Sequence, residues 1–263
     1  MKNKVKVNQK PGAKRKVNKS FLCVVFVFII SLLVILSTTV FFPINSVSLD
    51  YSGKLYTKEQ ILKSADIKIG ENIIILPSKK ISQKVTENLT YIGELKIKKQ
   101  FPDKILLTAT ETSEAYCIKA KKQYLFLDNQ YKVLREDKKP NKKLGCINGI
   151  KLQNSKIGTV AEFKDTEQQE TLLKIVKQLK KGGDKLNYIN FKSGGEVEFY
   201  VNKKFKIQLG STAELDDKLS FMTKMIDEIT KKNKHDTGRI NLTYFPSKKE
   251  GYFTREDIKI KYF

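Results

Sequence analysis

An unbroken apolar run from Phe21 to Phe42 opens the pattern, and beyond it hydrophobic positions recur every second residue or every third to fourth. The run holds no charged side chain and is polar only at Ser31, Ser37, Thr38 and Thr39. As a helix, residues 21–42 would extend roughly 33 Å, close to the ~30 Å hydrocarbon core of a bilayer, which predicts a transmembrane helix there. Val47, Leu49 and Tyr51 then alternate with Ser46, Ser48 and Asp50, the signature of a half-buried strand, and Ser52-Gly53 turns the chain. Thr57 and Gln60 stand at capping-box spacing, predicting a short helix from Lys58 to about Ala65 with Ile61 and Leu62 inward. Gly70 closes that unit, and Ile81, Val85 and Leu89 mark one face of a second helix over 78–89. Strand-like runs at 91–99 and 104–111 flank a turn at Phe101-Pro102-Asp103, with Ile105, Leu107 and Ala109 sharing a face. The order is β-α-α-β-β, one small α+β domain.

From about Ala115 the chain reads as short strands: Tyr124–Leu127, Lys132–Leu134, and the runs Val197, Phe199, Val201 and Phe205, Ile207, Leu209, which form a hairpin across Asn202-Lys203-Lys204. Two longer helices interrupt them. One covers about 165–180 with Leu172, Ile175, Val176 and Leu179 on a stripe. The other starts at a second capping-box pair, Ser211 and Glu214, and places Leu215, Leu219, Met222, Ile226 and Ile229 at core spacing. A strand at 239–244 and a further one at 251–254 precede a charged tail. The predicted fold class is α+β: a single N-terminal transmembrane helix, the β-α-α-β-β domain, then a mixed β-sheet domain with two longer helices. The corresponding boundaries are 1–20 for a basic arm, 21–42 for the span, 43–115 and 116–254 for two domains, and 255–263 for the tail. No Pro/Gly linker lies near residue 115, so the two domains are expected to abut.

Charge adds orientation. No Asp or Glu precedes Asp50, whereas the arm carries Lys2, Lys4, Lys6, Lys10, Lys14, Arg15, Lys16 and Lys19. Cations clustered on one side of an apolar span stay cytoplasmic, so Lys14, Arg15, Lys16 and Lys19 are the topology signal and everything past Pro43 is expected outside. A cleaved secretory signal is the competing reading. The run is longer than the ~7–15 residues typical of such a signal and lacks an Ala-x-Ala site, which favours an uncleaved anchor. Against a net charge of +23 for the whole chain, the exported part retains about +15. Nucleic acid is disfavoured as a partner, because no zinc knuckle, RNP-type aromatic motif or base-reading helix is present. Anionic headgroups or wall polymers suit the field better, while solvated lysine faces without a site explain it equally. Cys117 and Cys146 are the cysteines outside the span; buried free thiols are the default and a bridge stays open.

Catalytic chemistry finds few residues to work with. The single histidine, His235, sits in Lys231-Lys232-Asn233-Lys234-His235-Asp236, a solvated loop without an apolar wall. Neither a nucleophile elbow, a zinc-helix motif nor a phosphate loop occurs. Asp216 and Asp217 diverge by about 100° around a helix and suit its first turn, and Glu196 and Glu198 alternate with Val197 and Phe199 as the wet face of a strand. No enzyme, cofactor or metal is expected.

The residues do resemble a known family, the bacterial cell-division proteins DivIB/FtsQ, over nearly the whole chain. The resemblance rests on the basic arm and anchor; on Val47 through Gly53, Thr57 through Ile61, Ile69-Gly70 and Asn72; and most specifically on Ile97-Lys-Lys-Gln-Phe-Pro102 running to Glu111. It continues through Leu127-Asp128, Val133-Leu134, Asn148-Gly149, Leu209-Gly210, Lys218-Leu219 and Gly238 to Leu242. Departures are Thr112, Gln130, Gly145, Asn241 and Thr243, where the family commonly has a basic residue, glycine, proline, an acid and arginine. The resemblance implies a POTRA domain next to the membrane, a β domain beyond it, and a single-pass type II protein enriched at the septum. It also implies a non-catalytic divisome scaffold binding FtsL-type and DivIC/FtsB-type proteins outside the membrane, and through them linked to septal peptidoglycan synthesis and its penicillin-binding protein. The partner-binding edge would comprise Tyr244, Phe245, Ser247, Gly251, Tyr252 and Phe253, working by β-augmentation. Tyr252 and Phe253 could equally close the protein's own core. A membrane-anchored binder of anionic wall polymers is the alternative function.

Overall fold

The computed structural model describes residues 19–120 and 122–262, with backbone alone at 19 and 34–41. A first helix, α1, runs Lys19–Phe41. It coincides with the predicted apolar run, and Lys14, Arg15 and Lys16 of the topology signal, with the side chain of Lys19, lie outside the described residues. So do the side chains at 34–41 that would complete the run, and among the described residues no helix is long and apolar enough to cross a membrane.

After α1 come β1 (Ser46–Asp50), α2 (Lys58–Ala65), α3 (Ser78–Asn88), β2 (Ile92–Gln100) and β3 (Lys104–Glu111), the expected β-α-α-β-β order, with the strands arranged β1-β3-β2. The chain divides into two compact units.

The first unit gathers the stretch ending at Ser48 with Ile67–Pro77 and Lys98–Leu106. Backbone bonds lace these loops to the segment that leaves α1: Ile73 N donates to Phe42 O at 2.9 Å, Ile44 N to Glu71 O and Gly70 N to Ile44 O at 2.8 Å, and Asn45 N to Asp103 O at 2.8 Å. Ile44, Ile73, Leu76 and Ile105 are buried in it. Each buried isoleucine of this kind contributes roughly 1.5–3 kcal/mol by loss of hydrated apolar surface.

The second unit holds Leu49–Asp66, Ser78–Ile97 and everything from Leu107. Here α2 begins on the predicted capping box, with Thr57 Oγ accepting from Gln60 N and the Gln60 side chain accepting from Thr57 N at 2.7 Å. Glu111 ties the chain after β1 to β3: its Oε1 accepts from Tyr51 OH and, at 2.6 Å, from Leu55 N. The same unit continues through β4 (Tyr116–Ala120), β5 (Gln123–Leu127), β6 (Val133–Asp137), β7 (Gly145–Asn148), β8 (Leu152–Asn154), β9 (Glu162–Phe163), α4 (Thr166–Gly182), β10 (Leu186–Phe191), β11 (Val197–Val201), β12 (Phe205–Gly210), α5 (Leu215–Lys232), β13 (Gly238–Asn241), α6 (Phe245–Lys248) and β14 (Tyr252–Arg255). A nine-stranded mixed sheet runs β14-β13-β12-β11-β10-β7-β4-β5-β6, and β8-β9 form a small separate ribbon. Parallel pairing joins β7 to β4 and to β10, and β12 to β13 across α5; the other neighbours in the sheet are antiparallel.

One sheet face is buried by α4 and α5 in a core that includes Leu172, Ile175, Leu179, Phe199, Phe205, Ile207, Leu219, Met222 and Ile226. The two helices also meet through Gln178 Nε2 and Thr223 Oγ1 at 3.1 Å and a Lys174–Asp216 ion pair at 2.8 Å. The opposite face carries a smaller cluster of Cys117, Phe126, Cys146, Tyr188 and Tyr200. The tail packs on it through Ile258, Ile260 and Tyr262, an alternation hidden among Asp257, Lys259 and Lys261. Cys117 and Cys146 are opposite one another in the β4–β7 register, buried and free.

Two sequence expectations change. The Ser211/Glu214 capping box does not form: Glu214 is the N-cap with left-handed backbone and no side-chain cap bond. Glu214 instead pairs with Lys249, and Lys218 Nζ takes the carbonyls of Ser211 at 2.7 Å and Leu209 at 3.0 Å. The strand expected over 239–244 ends at Asn241, and Tyr244 and Phe245 begin the one-turn helix α6, with proline in its first turn.

Candidate partner-binding edge

Three elements build the end of the sheet where the predicted residues fall. β13 lies parallel beside β12, and β14 lies antiparallel beside β13, pairing Gly238 with Arg255, Arg239 with Thr254, Ile240 with Phe253 and Asn241 with Tyr252. Among the described residues no strand follows β14 in the order, so it is an edge. Backbone direction fixes which groups of that edge are open. Gly238 N donates to Lys204 O at 3.0 Å and Leu242 N to Gln208 O at 2.8 Å, so the even positions of β13 face β12 and the odd ones face β14. Arg239 and Asn241 therefore bond Thr254 and Tyr252, and the main-chain groups of Phe253 and Arg255 point away from the sheet. An unpaired row of this kind is a template for another strand.

Side chains alternate in the other dimension. Phe253 turns to the helix-covered face, with its ring centroid 6.3 Å from that of Phe205. Tyr252 is exposed, and its hydroxyl donates to Glu250 Oε2 at 2.6 Å, which raises its pKa. Phe245 is buried against Phe221, centroids 5.1 Å apart, whereas Tyr244 and Ser247 are exposed on α6. The six predicted edge residues thus come together at one end of the sheet but divide into roles. Phe245 and Phe253 serve the protein's own core, Tyr244, Ser247 and Tyr252 face solvent, and only Gly251 through Phe253 approach or belong to the edge strand.

Two glycines make the strand fit. A Cβ on Gly251 would lie 2.7 Å from Leu242 Cδ2, 2.8 Å from Met225 S and 2.9 Å from Phe221 Cε1. A Cβ on Gly238 would lie 2.2 Å from Thr254 O. Close approach is thus used inward, against α5 and β13. At the far end of β14, Arg255 donates to Asp236 Oδ2 from Nε at 3.1 Å and Nη2 at 2.7 Å, and Asp236 raises the guanidinium pKa. Thr237 Oγ1 donates to Glu256 O at 2.9 Å.

Alongside β14 runs a groove of about 470 Å³ between it and α5, lined by apolar Met225, Ile229 and Phe253 and by charged Glu228, Lys232, Asp236 and Arg255. Ile229 belongs to the core stripe that the sequence predicts, whereas Met225, one turn earlier, lies outside that stripe. The spacing of the two, four residues apart on α5, was the available signal.

Three of the four candidate catalytic carboxylates, Glu196, Glu198 and Asp216, are in ion pairs. Glu198 lies 3.2 Å from Lys192 and 3.6 Å from Lys206, and its hydrogen bond raises the Lys192 pKa. Glu196 lies 3.5 Å from Lys192, Asp216 pairs with Lys174, and His235 is exposed. Among the described residues no group of three or more His, Cys, Asp or Glu could hold a metal ion.

Comparison with known proteins joins this architecture to a family. The profile described as "POTRA domain, FtsQ-type" matches residues 42–111. The chain is 27% identical over 237 residues to a Cell division protein DivIB of Clostridium botulinum strain Hall, covering 88% of this chain and 90% of that protein. It is 26% identical over 238 residues to the DivIB of Clostridium botulinum strain Loch Maree, with the same coverage, and 26% identical over 172 residues to that of Clostridium tetani, covering 64% of each. Over most of its length the chain is thus similar to Cell division protein DivIB, and with an FtsQ-type POTRA match over residues 42–111 it is a DivIB homologue carrying a POTRA domain.

Proposed function

We propose that this protein is a membrane-anchored divisome scaffold whose β14 edge captures FtsL-type and DivIC/FtsB-type division proteins and so couples septum formation to peptidoglycan synthesis. The observation that carries the reading is the outward main chain of Phe253 and Arg255 beside the Met225–Ile229–Phe253 groove. An incoming extended segment would continue the sheet by main-chain hydrogen bonds, and an apolar side chain on its inner face would fill the groove. Tyr252 and Thr254 would flank it on the other face. Residues 21–42 would act as the anchor, with the basic arm cytoplasmic and the rest outside, enriched at the septum.

A photocrosslinker placed singly at Tyr252 and Thr254 of the full-length chain in dividing cells tests the edge. Adducts with small membrane-anchored division proteins are expected at both positions, and their loss is expected when Met225→Asp charges the groove. Crosslinking to no protein, or unchanged adducts with a charged groove, would refute the assignment.

A further inference from the structure

In the first unit, apolar side chains are displayed on loops rather than buried. Ile75 is 77% exposed, Ile69 63%, Phe101 60% and Ile74 40%, while Ile73 and Leu76 on either side of the 74–75 pair are buried. The sequence run Ile73-Ile74-Ile75-Leu76 therefore splits, its ends feeding the core and its middle feeding none. An apolar cluster open to solvent is a contact surface in search of an apolar medium.

These four residues converge on one place. Ile73 N is bonded to Phe42 O at 2.9 Å, so Ile75 lies two residues, roughly 7 Å of chain at most, from the residue hydrogen-bonded to the one that follows α1. The Phe101 ring meets the Phe42 ring edge to face at 5.9 Å. Lys99 Nζ donates to Ile74 O at 2.8 Å, which ties the 98–106 turn to the isoleucine loop. Ile69 adjoins Gly70, whose N–H donates to Ile44 O at 2.8 Å. Lys68, Lys98 and Lys104 are exposed on the same two loops, with Lys99 half-buried, against acidic Glu71 and Asp103. Asp103 accepts from Asn45 Nδ2 at 3.0 Å.

We propose that loops 67–77 and 98–106 form a bilayer-contact surface that inserts Ile69, Ile74, Ile75 and Phe101 into the headgroup layer of an anionic membrane. The inference rests on the anchor reading for residues 21–42 and goes beyond it, since an anchor alone requires nothing of these loops. Continuity with the end of α1 argues for lipid over a protein partner. The interfacial layer is roughly 5–8 Å deep on each side, within the reach of loops bonded to Phe42 and Ile44. Lysines beside buried apolar groups are the usual arrangement at that depth, their stems lying along the hydrocarbon and their ammonium groups meeting lipid phosphates.

The chain has no tryptophan, so each introduced one is a sole reporter. Ile75→Trp, Phe101→Trp and Val27→Trp would be made separately in the full-length chain and reconstituted into vesicles of phosphatidylcholine and phosphatidylglycerol brominated at shallow or deep positions. Loss of most emission from Ile75→Trp and Phe101→Trp to the shallow quencher is expected, with a smaller loss in phosphatidylcholine alone. Val27→Trp, within α1, is expected to be quenched by the deep bromines and reports on the anchor separately. Undiminished emission at both loop positions overturns the surface whatever Val27→Trp shows. Equal loss in phosphatidylcholine alone overturns its anionic preference. Undiminished emission from Val27→Trp overturns the anchor instead, and quenching at the loops then still supports lipid contact.

Discussion

Lys132 is 6% exposed and directs its ammonium to Ile92 O at 2.8 Å, while Asp128 accepts from its backbone N–H at 3.0 Å and from Thr112 Oγ1 at 3.1 Å. A charge held in so little water favours its neutral form, and burial lowers this pKa to about 8 from 10.5. The folded state therefore gives up the proton first. Below about pH 8 both states hold it, and the cost of burying the ammonium is fully present. Between the two values the unfolded chain binds more protons, so stability rises with pH. At 1.36 kcal/mol per unit the ceiling of this gain is about 3 kcal/mol. Denaturant unfolding of the wild type and Lys132→Met should show it: on going from about pH 7 to about pH 10, the wild type gains up to about 3 kcal/mol relative to the variant. Parallel profiles for the two proteins would sink this account. Nothing local announces the effect: Lys132 follows the polar turn Asp128-Asn129-Gln130, where a solvated ammonium is the ordinary expectation, and only the return of Ile92 beside it removes the water.

At the scale of elements, β14 is held by fit rather than by bulk, and Gly238 is the place to test it. Alanine there would set its Cβ 2.2 Å from Thr254 O and 2.6 Å from the Phe253 ring. Overpacking of that kind typically costs about 1–3 kcal/mol, and the edge strand, bonded on one side only, is the part free to move. Gly238→Ala should therefore raise hydrogen exchange at the β13-bonded amides of Tyr252 and Thr254 at least about tenfold while α4 and β10 to β12 stay protected, a local opening in the sense that edges open before cores. Unchanged exchange at Tyr252 and Thr254 would contradict it. The substitution is a cleaner probe than truncation after Lys249, which also strips Ile258, Ile260 and Tyr262 from the second sheet face. Elements with local signals were legible in advance: α2 from its capping box, the β11–β12 hairpin from alternation across a polar turn. β4, β7 and β10 were not, because Tyr116-Cys117-Ile118, Gly145-Cys146-Ile147 and Leu186 to Ile189 are buried on both faces and show no period of two. β7, parallel to both of its neighbours, also leaves no hairpin turn to read. At the edge, Tyr252 and Phe253 were visible as aromatics, but their opposite directions depend on a register that only β13 supplies. Phe245-Pro246 read as an extended segment, whereas proline in a first helical turn was the better precedent.

Within the second unit, contacts reach from the FtsQ-type domain toward the sheet: Lys132 Nζ to Ile92 O, and Tyr91 OH at 2.8 Å to Glu114, which also accepts from Arg135 Nε of β6 at 2.6 Å. Gly158, at φ +90, brings a loop so close to α3 that a Cβ would lie 2.2 Å from Glu87 O. The FtsQ-type profile ends at Glu111, but the packing does not end there, and the edge strand belongs to a body that includes α2 and α3. A body built this way presents its edge without a slack hinge between those elements and the sheet. The proposed anchor then supplies what the edge lacks alone. A partner confined to the same membrane meets β14 at an effective concentration in the millimolar range, which raises apparent affinity by about 10²–10⁴ over the untethered edge. Removing residues 1–42 should accordingly weaken partner binding by that factor when the partner is reconstituted in vesicles, and leave affinity for its soluble β14-pairing segment unchanged. Titrating both forms of this protein against both forms of the partner separates the two effects. Equal affinities of the anchored and anchorless chains for the vesicle-bound partner would show that the edge works without the membrane plane and would remove the reason for the anchor.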